Sequence, residues 1–175
     1  MIDDKVCAAL NRQINAELYS GYLYLAMSSF FDAKNLKGFA SWMRVQVQEE
    51  LAHAQKLHQY VLERGGKPAF SRVEAPPSEW ESPLGVFEHA YGHEQAVTRA
   101  INDLVDVGVE AKDHATVNFL QWYVSEQVEE EANFDAIVQQ LRLAGDNGAA
   151  LLMMDREMAT RVFVPLAAGA GGAAG

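Results

Sequence analysis

The first 64 residues contain no proline and only two glycines, Gly21 and Gly38, whereas all five prolines lie at Pro68 or beyond. Proline breaks a helix interior and glycine weakens it, so a stretch this free of both favours long helices. The pattern predicts a first helix from Asp4 to Phe31, capped by Asp3 or Asp4, and a tight turn at Asp32-Ala33-Lys34-Asn35. A second helix is expected from Leu36 to Arg64, where Gly65-Gly66-Lys67-Pro68 stops it. Residues 65–82 then form a connector of about 18 residues that can reach about 60 Å, more than the roughly 43 Å of the helix before it. Ser82-Pro83 opens a third helix to Gly108, and after a turn at Glu110–Asp113 a fourth runs to Ala144 and ends at Gly145. A short fifth segment, Asn147 to Thr160, carries Leu151, Leu152, Met153, Met154 and Met158. Short, long and short connections describe an all-α four-helix bundle with one long crossover and a short fifth C-terminal helix. The expected organisation is one domain over residues 1–160 and a disordered Gly/Ala-rich tail over 161–175.

Each of the four long helices carries acid where a bundle core should be apolar. At about 100° per residue, Leu10, Ile14, Glu17, Gly21, Tyr24, Ser28 and Phe31 share one face of the first helix. The second lines up Phe39, Met43, Gln46, Glu50, His53, Leu57 and Val61. The third gives Phe87, Tyr91, Glu94, Thr98, Ile101 and Val105, and the fourth Leu120, Tyr123, Gln127, Glu130, Phe134 and Leu141. Glu17, Glu50, Glu94 and the Gln127/Glu130 pair each sit within about two residues of a helix midpoint, so antiparallel packing brings them to one level. A single such glutamate is ordinarily one that snorkels to water from the edge of its stripe. Four at the same height are different, because ionised carboxylates in a bundle interior cost several kcal/mol each without compensation. Two divalent cations would cancel the four charges. Oxygen ligands with one imidazole suit Fe(II), Mn(II) or Zn(II) better than Cu(I). Glu50-Leu51-Ala52-His53 also has the E-x-x-H spacing of di-iron bundle sites.

Composition narrows the partners. A net charge of -10 repels phosphate backbones, so no nucleic-acid partner is expected and cations are favoured. Cys7 is the only cysteine, which excludes a disulfide framework and a thiolate cluster within the chain. No run approaches about 18 apolar residues, and the opening Met1-Ile2-Asp3-Asp4-Lys5-Val6 lacks a basic start and an apolar core. The expectation is a cytoplasmic protein with no membrane partner.

Four motifs are shared with a known family. They are Asn15-Ala16-Glu17-Leu18-Tyr19-Ser20, Gln48-Glu49-Glu50-Leu51-Ala52-His53, Pro76–Leu84, and Phe119–Glu131. On these the chain resembles a bacterial non-haem ferritin over residues 3–160. The resemblance implies an iron-storage ferroxidase that oxidises Fe(II) with O2 or hydrogen peroxide at an intrasubunit di-iron centre. It further implies a homo-oligomeric 24-subunit shell that holds the ferric mineral. Glu17, Glu50 and His53 match the ligands of one iron, with Glu50 bridging; Glu94 and Glu130 match those of the second, with Gln127 beside them. Tyr24 matches a tyrosine near the centre, and Glu49, Glu126, Glu129 and Glu130 match a third iron site. Leu51 stands where haem-binding relatives carry methionine, and Gln127-Val128-Glu129-Glu130 replaces their second E-x-x-H, so no haem is expected. Two other functions remain open at this stage: a soluble di-iron oxidase or peroxidase without storage, and a bundle whose carboxylates bind metal without turnover.

Overall fold

The computed structural model describes residues 1–166. Among these residues five helices form: α1 (Asp4–Ala33), α2 (Lys37–Glu63), α3 (Pro83–Glu110), α4 (His114–Ala144) and α5 (Gly148–Met158). Among the described residues there is no strand. No helix there is long and apolar enough to cross a membrane. α1 and α2 form one antiparallel hairpin, α3 and α4 the other, and α5 packs against α2. The boundaries follow the expected ones to within two residues.

Local chemistry explains the ends. Asp3, rather than Asp4, caps α1 by accepting from the Lys5 and Val6 amides. Ser82 caps α3 ahead of Pro83, and Asp113 caps α4 through the Thr116 amide. The hairpin turns pass through Asn35 and Lys112, both at positive φ. Asparagine enters that region readily, whereas lysine does so at some cost.

The connector crosses the bundle as its length allows. Asn11 bonds the Lys67 carbonyl and the Ala69 amide, Asn15 bonds the Arg72 carbonyl, and Trp80 packs edge-on against Phe30. From Asn11 to Phe30 the chain therefore climbs about 29 Å of α1. The crossover puts α3 parallel to α2 and returns its first turn to the end where α1 finished.

The apolar interior is in two parts. An upper cluster gathers Phe31, Phe39, Trp42, Phe87 and Phe134, and a lower one Leu10, Ile14, Leu57, Ile101 and Leu120. Every residue predicted for the core stripes of α1, α2 and α4 is buried. On α3 the buried face is Phe87, Ala90, Glu94, Val97, Ile101 and Leu104, while Tyr91, Thr98 and Val105 are only half-buried. Steps of three and four both keep a helical face, and here the small Ala90 and Val97 take the inner positions.

α2 has no side-chain cap of its own; its N-cap position is Leu36. The missing acceptor comes from α5, whose Asp155 carboxylate takes the Gly38 and Phe39 amides at 2.8 and 3.0 Å. Gly38 is needed for this approach, because a Cβ there would overlap the Asp155 carbonyl. Replacing Asp155 by alanine should therefore cost about 1 kcal/mol, the usual value of a lost cap. Gly38→Ala should loosen α5 while leaving α1 to α4 folded. Hydrogen exchange would show this as faster exchange over residues 148–158 with unchanged protection in the bundle.

Candidate metal centre

Between the two apolar clusters lies a layer of buried polar side chains. Glu17, Glu50, His53, Glu94, Gln127 and Glu130 are all at most 5% exposed. α1 supplies the first, α2 the next two, α3 the fourth and α4 the last two. Glu17, Glu50 and His53 each offer a ligand atom, and the three atoms lie within 4.8 Å of one another. His53 Nδ1 is 3.5 Å from the Glu50 carboxylate, as the i,i+3 spacing allows.

Neutral donors hold the acids in place. Gln13 donates to Glu17 at 2.9 Å, Gln46 to Glu130 at 3.0 Å, and Gln127 to Glu94 at 3.0 Å. The Tyr24 hydroxyl also donates to Glu94. Tyr123 donates to the His53 carbonyl at 2.8 Å, which ties α4 to α2 beside the imidazole. Trp122 meets the His53 ring edge-on, with the Lys56 ammonium 3.8 Å above its indole. Glu94 and Glu130 thus face their amide and phenol partners, beside the Glu17–Glu50–His53 group.

Glu49 and Glu126 are half-buried at the edge of this layer, and Glu129 is exposed. Glu49 accepts from Arg161 at 2.7 Å. Arg161 belongs to the expected tail, yet it is anchored here; residues 167–175 of that tail lie outside the described residues.

The four central acids have no cationic side chain bonded to them. Among the described residues no lysine or arginine forms an ion pair with Glu17, Glu50, Glu94 or Glu130. Burial, followed by repulsion from Glu94, pushes Glu130 up to about 8. Burial likewise raises Glu94 to about 7, against the pull of its Tyr24 and Gln127 hydrogen bonds. Glu50 is driven well above the usual carboxylate range by burial and by the neighbouring acids. His53 is lowered to about 4 by burial and by Lys56, so it is a neutral imidazole with a lone pair to give. Carboxylates short of counter-charge, one neutral imidazole and a set of uncharged orienting donors make a donor set that fits divalent metal.

A family model for the ferritin-like domain matches residues 7–144. The chain belongs to the ferritin family. A bacterial non-heme ferritin of Bacteroides fragilis is 42% identical over 161 residues, covering 92% of this chain and all of the relative. One from Escherichia coli is 41% identical over 160 residues, covering 91% of this chain and 97% of that one. Among solved structures, an open pore ferritin of the hyperthermophilic archaeon Archaeoglobus fulgidus matches with a TM-score of 0.91. It is 57% identical, and the match covers 93% of this chain and 100% of that one. A closed form of the A. fulgidus ferritin made by mutagenesis gives 0.93 at 58% identity, covering 94% and 100%.

The sequence stripes already contain the acids, the imidazole and the donors Tyr24, Gln46 and Gln127, while Gln13 lies off the α1 stripe. Gln13 lies four residues before Glu17, a spacing that could have marked it as that glutamate's partner, whereas Gln46, four before Glu50, donates across the bundle to Glu130 instead. Nothing local marks Arg161, which reaches α2 from beyond α5.

The titration shifts fix a sign. Glu130 and Glu94 hold protons in the folded chain that they lose when it unfolds, so each removes stability as pH rises from the unfolded value near 4.5 through about 8 and about 7. His53 acts oppositely, removing stability only as pH falls below 6.5 toward about 4. Between pH 6.5 and 8 the carboxylates act alone. The urea midpoint of chelator-treated protein should therefore fall across that window. Glu130→Gln should flatten the fall, and a divalent cation should reverse it.

Proposed function

We propose that this chain is an iron-storage ferritin that oxidises Fe(II) at a two-iron centre within each subunit. It deposits the Fe(III) as a mineral inside a hollow 24-subunit shell of identical chains. The observation that carries the reading is the Glu17, Glu50 and His53 donor group at mid-height of the bundle, with Glu94 and Glu130 completing the layer. Its likeness to proteins named bacterial non-heme ferritin along nearly the whole of their length supports the storage role.

In this reading one Fe(II) is taken by Glu17, Glu50 and His53, and the second by Glu50, Glu94 and Glu130, with Gln127 beside them. Glu49, Glu126, Glu129 and Glu130 take a third. As Fe(II) arrives, the carboxyls that burial kept protonated release those protons, so binding is pH-dependent. Two Fe(II) give up one electron each. O2 takes both with two protons and leaves as hydrogen peroxide, or hydrogen peroxide takes both with two protons and leaves as two water molecules. A carboxylate shared between the two metal positions keeps both donors within reach of one oxidant. Tyr24, hydrogen-bonded to Glu94, orients that ligand and puts an oxidisable ring beside it. The low cation content of the layer leaves charge neutralisation to the substrate.

The test adds Fe(II) in air at many equivalents per chain and measures ferric iron that co-elutes with protein on gel filtration. Retention of far more than three irons per chain in a large particle is expected. Glu50→Ala with His53→Ala should slow oxidation by about tenfold or more. Iron stopping at two or three per chain, or precipitating apart from the protein, would instead mean an oxidase or a passive binder.

A further inference from the structure

Among the described residues, the one arginine bonded to an acid at this layer comes from beyond α5. Beyond α5 the chain turns at Thr160, and the Arg161 side chain lies back along α2. Its Nη2 donates to Glu49 Oε2 at 2.7 Å and its Nη1 donates to Gln46 Oε1. Gln46 in turn donates to Glu130 at 3.0 Å, so a guanidinium, an amide and a centre carboxylate form one hydrogen-bonded line. The guanidinium also lies 4.3 Å over the Trp42 indole, a seat that fits arginine better than lysine. Two features fix its origin: Asp155 clamps α5 to α2, and Met158 is buried in the upper cluster.

Glu49 faces two further acids, Glu126 and Glu129, whose charges act on it. Arg161 is the cation that answers them: it is the ion-pair partner of Glu49 among the described residues. Next to it is a cavity of about 330 Å³ lined by Trp42, Asn133, Glu157 and Arg161 itself. The guanidinium therefore has both room to move and a second carboxylate to move toward.

We propose that Arg161 is a resident cation that occupies the Glu49–Glu130 edge of the centre and competes with divalent metal for it. This rests on the reading that the carboxylate layer binds metal. Metal held by Glu17, Glu50 and His53 meets no such competitor. Metal at the outer edge must displace a charge-assisted hydrogen bond to Glu49 and the bond to Gln46. Arg161 thus makes the outer position the last to fill and the first to empty. When it yields, the guanidinium swings into the cavity toward Glu157, and Gln46 is freed from it.

Isothermal titration of the assembled protein with Zn(II), which is redox-silent, reads each equivalent separately. The wild-type chain should show two tight equivalents and a weaker third. Arg161→Met, which keeps an apolar stem on Trp42, should tighten the third by about tenfold or more and leave unchanged the equivalent held by Glu17, Glu50 and His53. In a Glu49→Gln background, Arg161→Met should have a much smaller effect, because only the bond to Gln46 then remains to be displaced. A third equivalent that is unaltered or weakened by Arg161→Met overturns the proposal. So does a crystal structure of the wild-type Zn(II) form with metal beside Glu49 and Glu130 and the guanidinium still on Glu49; that structure is decisive even if Arg161→Met fails to assemble. Binding of the first two equivalents with a third indifferent to Arg161 sinks this proposal alone. No Zn(II) binding at all sinks the metal reading of the centre with it.

Discussion

Four carboxyl groups withdrawn from water at one level of the bundle govern how the rest of it is built. Removing a charge from water costs several kcal/mol even after relaxation. Burying a large apolar side chain returns about 1.5–3 kcal/mol. The acidic layer therefore opposes folding on the scale of several core residues. The fold meets this by placing a closely packed aromatic cluster above the layer, with Phe31 stacked on Phe39 and Trp42 edge-on to Phe134. A second apolar cluster below it includes Tyr60, which stacks on the neighbouring Phe119. The polar belt is thus held between two apolar clusters, each of which reaches into it through a tyrosine, Tyr24 from above and Tyr123 from below.

The choice of donors within the layer follows from the same constraint. Each of Glu17, Glu94 and Glu130 is met by an amide, and Glu94 by a phenol as well. A lysine or arginine in those places would satisfy the charge permanently and hold the acids against any incoming cation. An amide satisfies the geometry and leaves the charge unmet. The result is a layer oriented for metal and kept partly protonated without it, because inside the edge that Arg161 occupies the surrounding side chains leave it no cation but protons. Orientation and neutralisation are separated, and only orientation is assigned to the protein.

How much of this was legible in the sequence depends on the range of the interaction concerned. The long helices were readable because proline and glycine act on their own residue and its neighbours, and Glu17, Glu50, His53, Glu94, Gln127 and Glu130 because helical periodicity places them by counting. The α3 face was not fixed by counting, since Tyr91 or Ala90, and Thr98 or Val97, satisfy the same period; the packing of neighbouring helices decides between them. The N-terminus of α2 is capped from 117 residues later in the chain, and the acidic edge is answered by Arg161. Neither leaves a local signature, because both depend on where α5 comes to rest.

That dependence gives α5 a place in the chemistry as well as in the architecture. Asp155 and Arg161 leave the same short segment in opposite senses of charge: the carboxylate goes to the amide-rich start of α2, and the guanidinium to the acid-rich middle of the same helix. Each finds on α2 the partner that α2 cannot supply for itself. Linkage then runs both ways, because a cation that displaces Arg161 from Glu49 removes one of the contacts holding the segment after α5, and anything that shifts α5 alters the competition at Glu49. A displacement of α5 would thus reach the edge of the carboxylate layer through the Arg161 side chain.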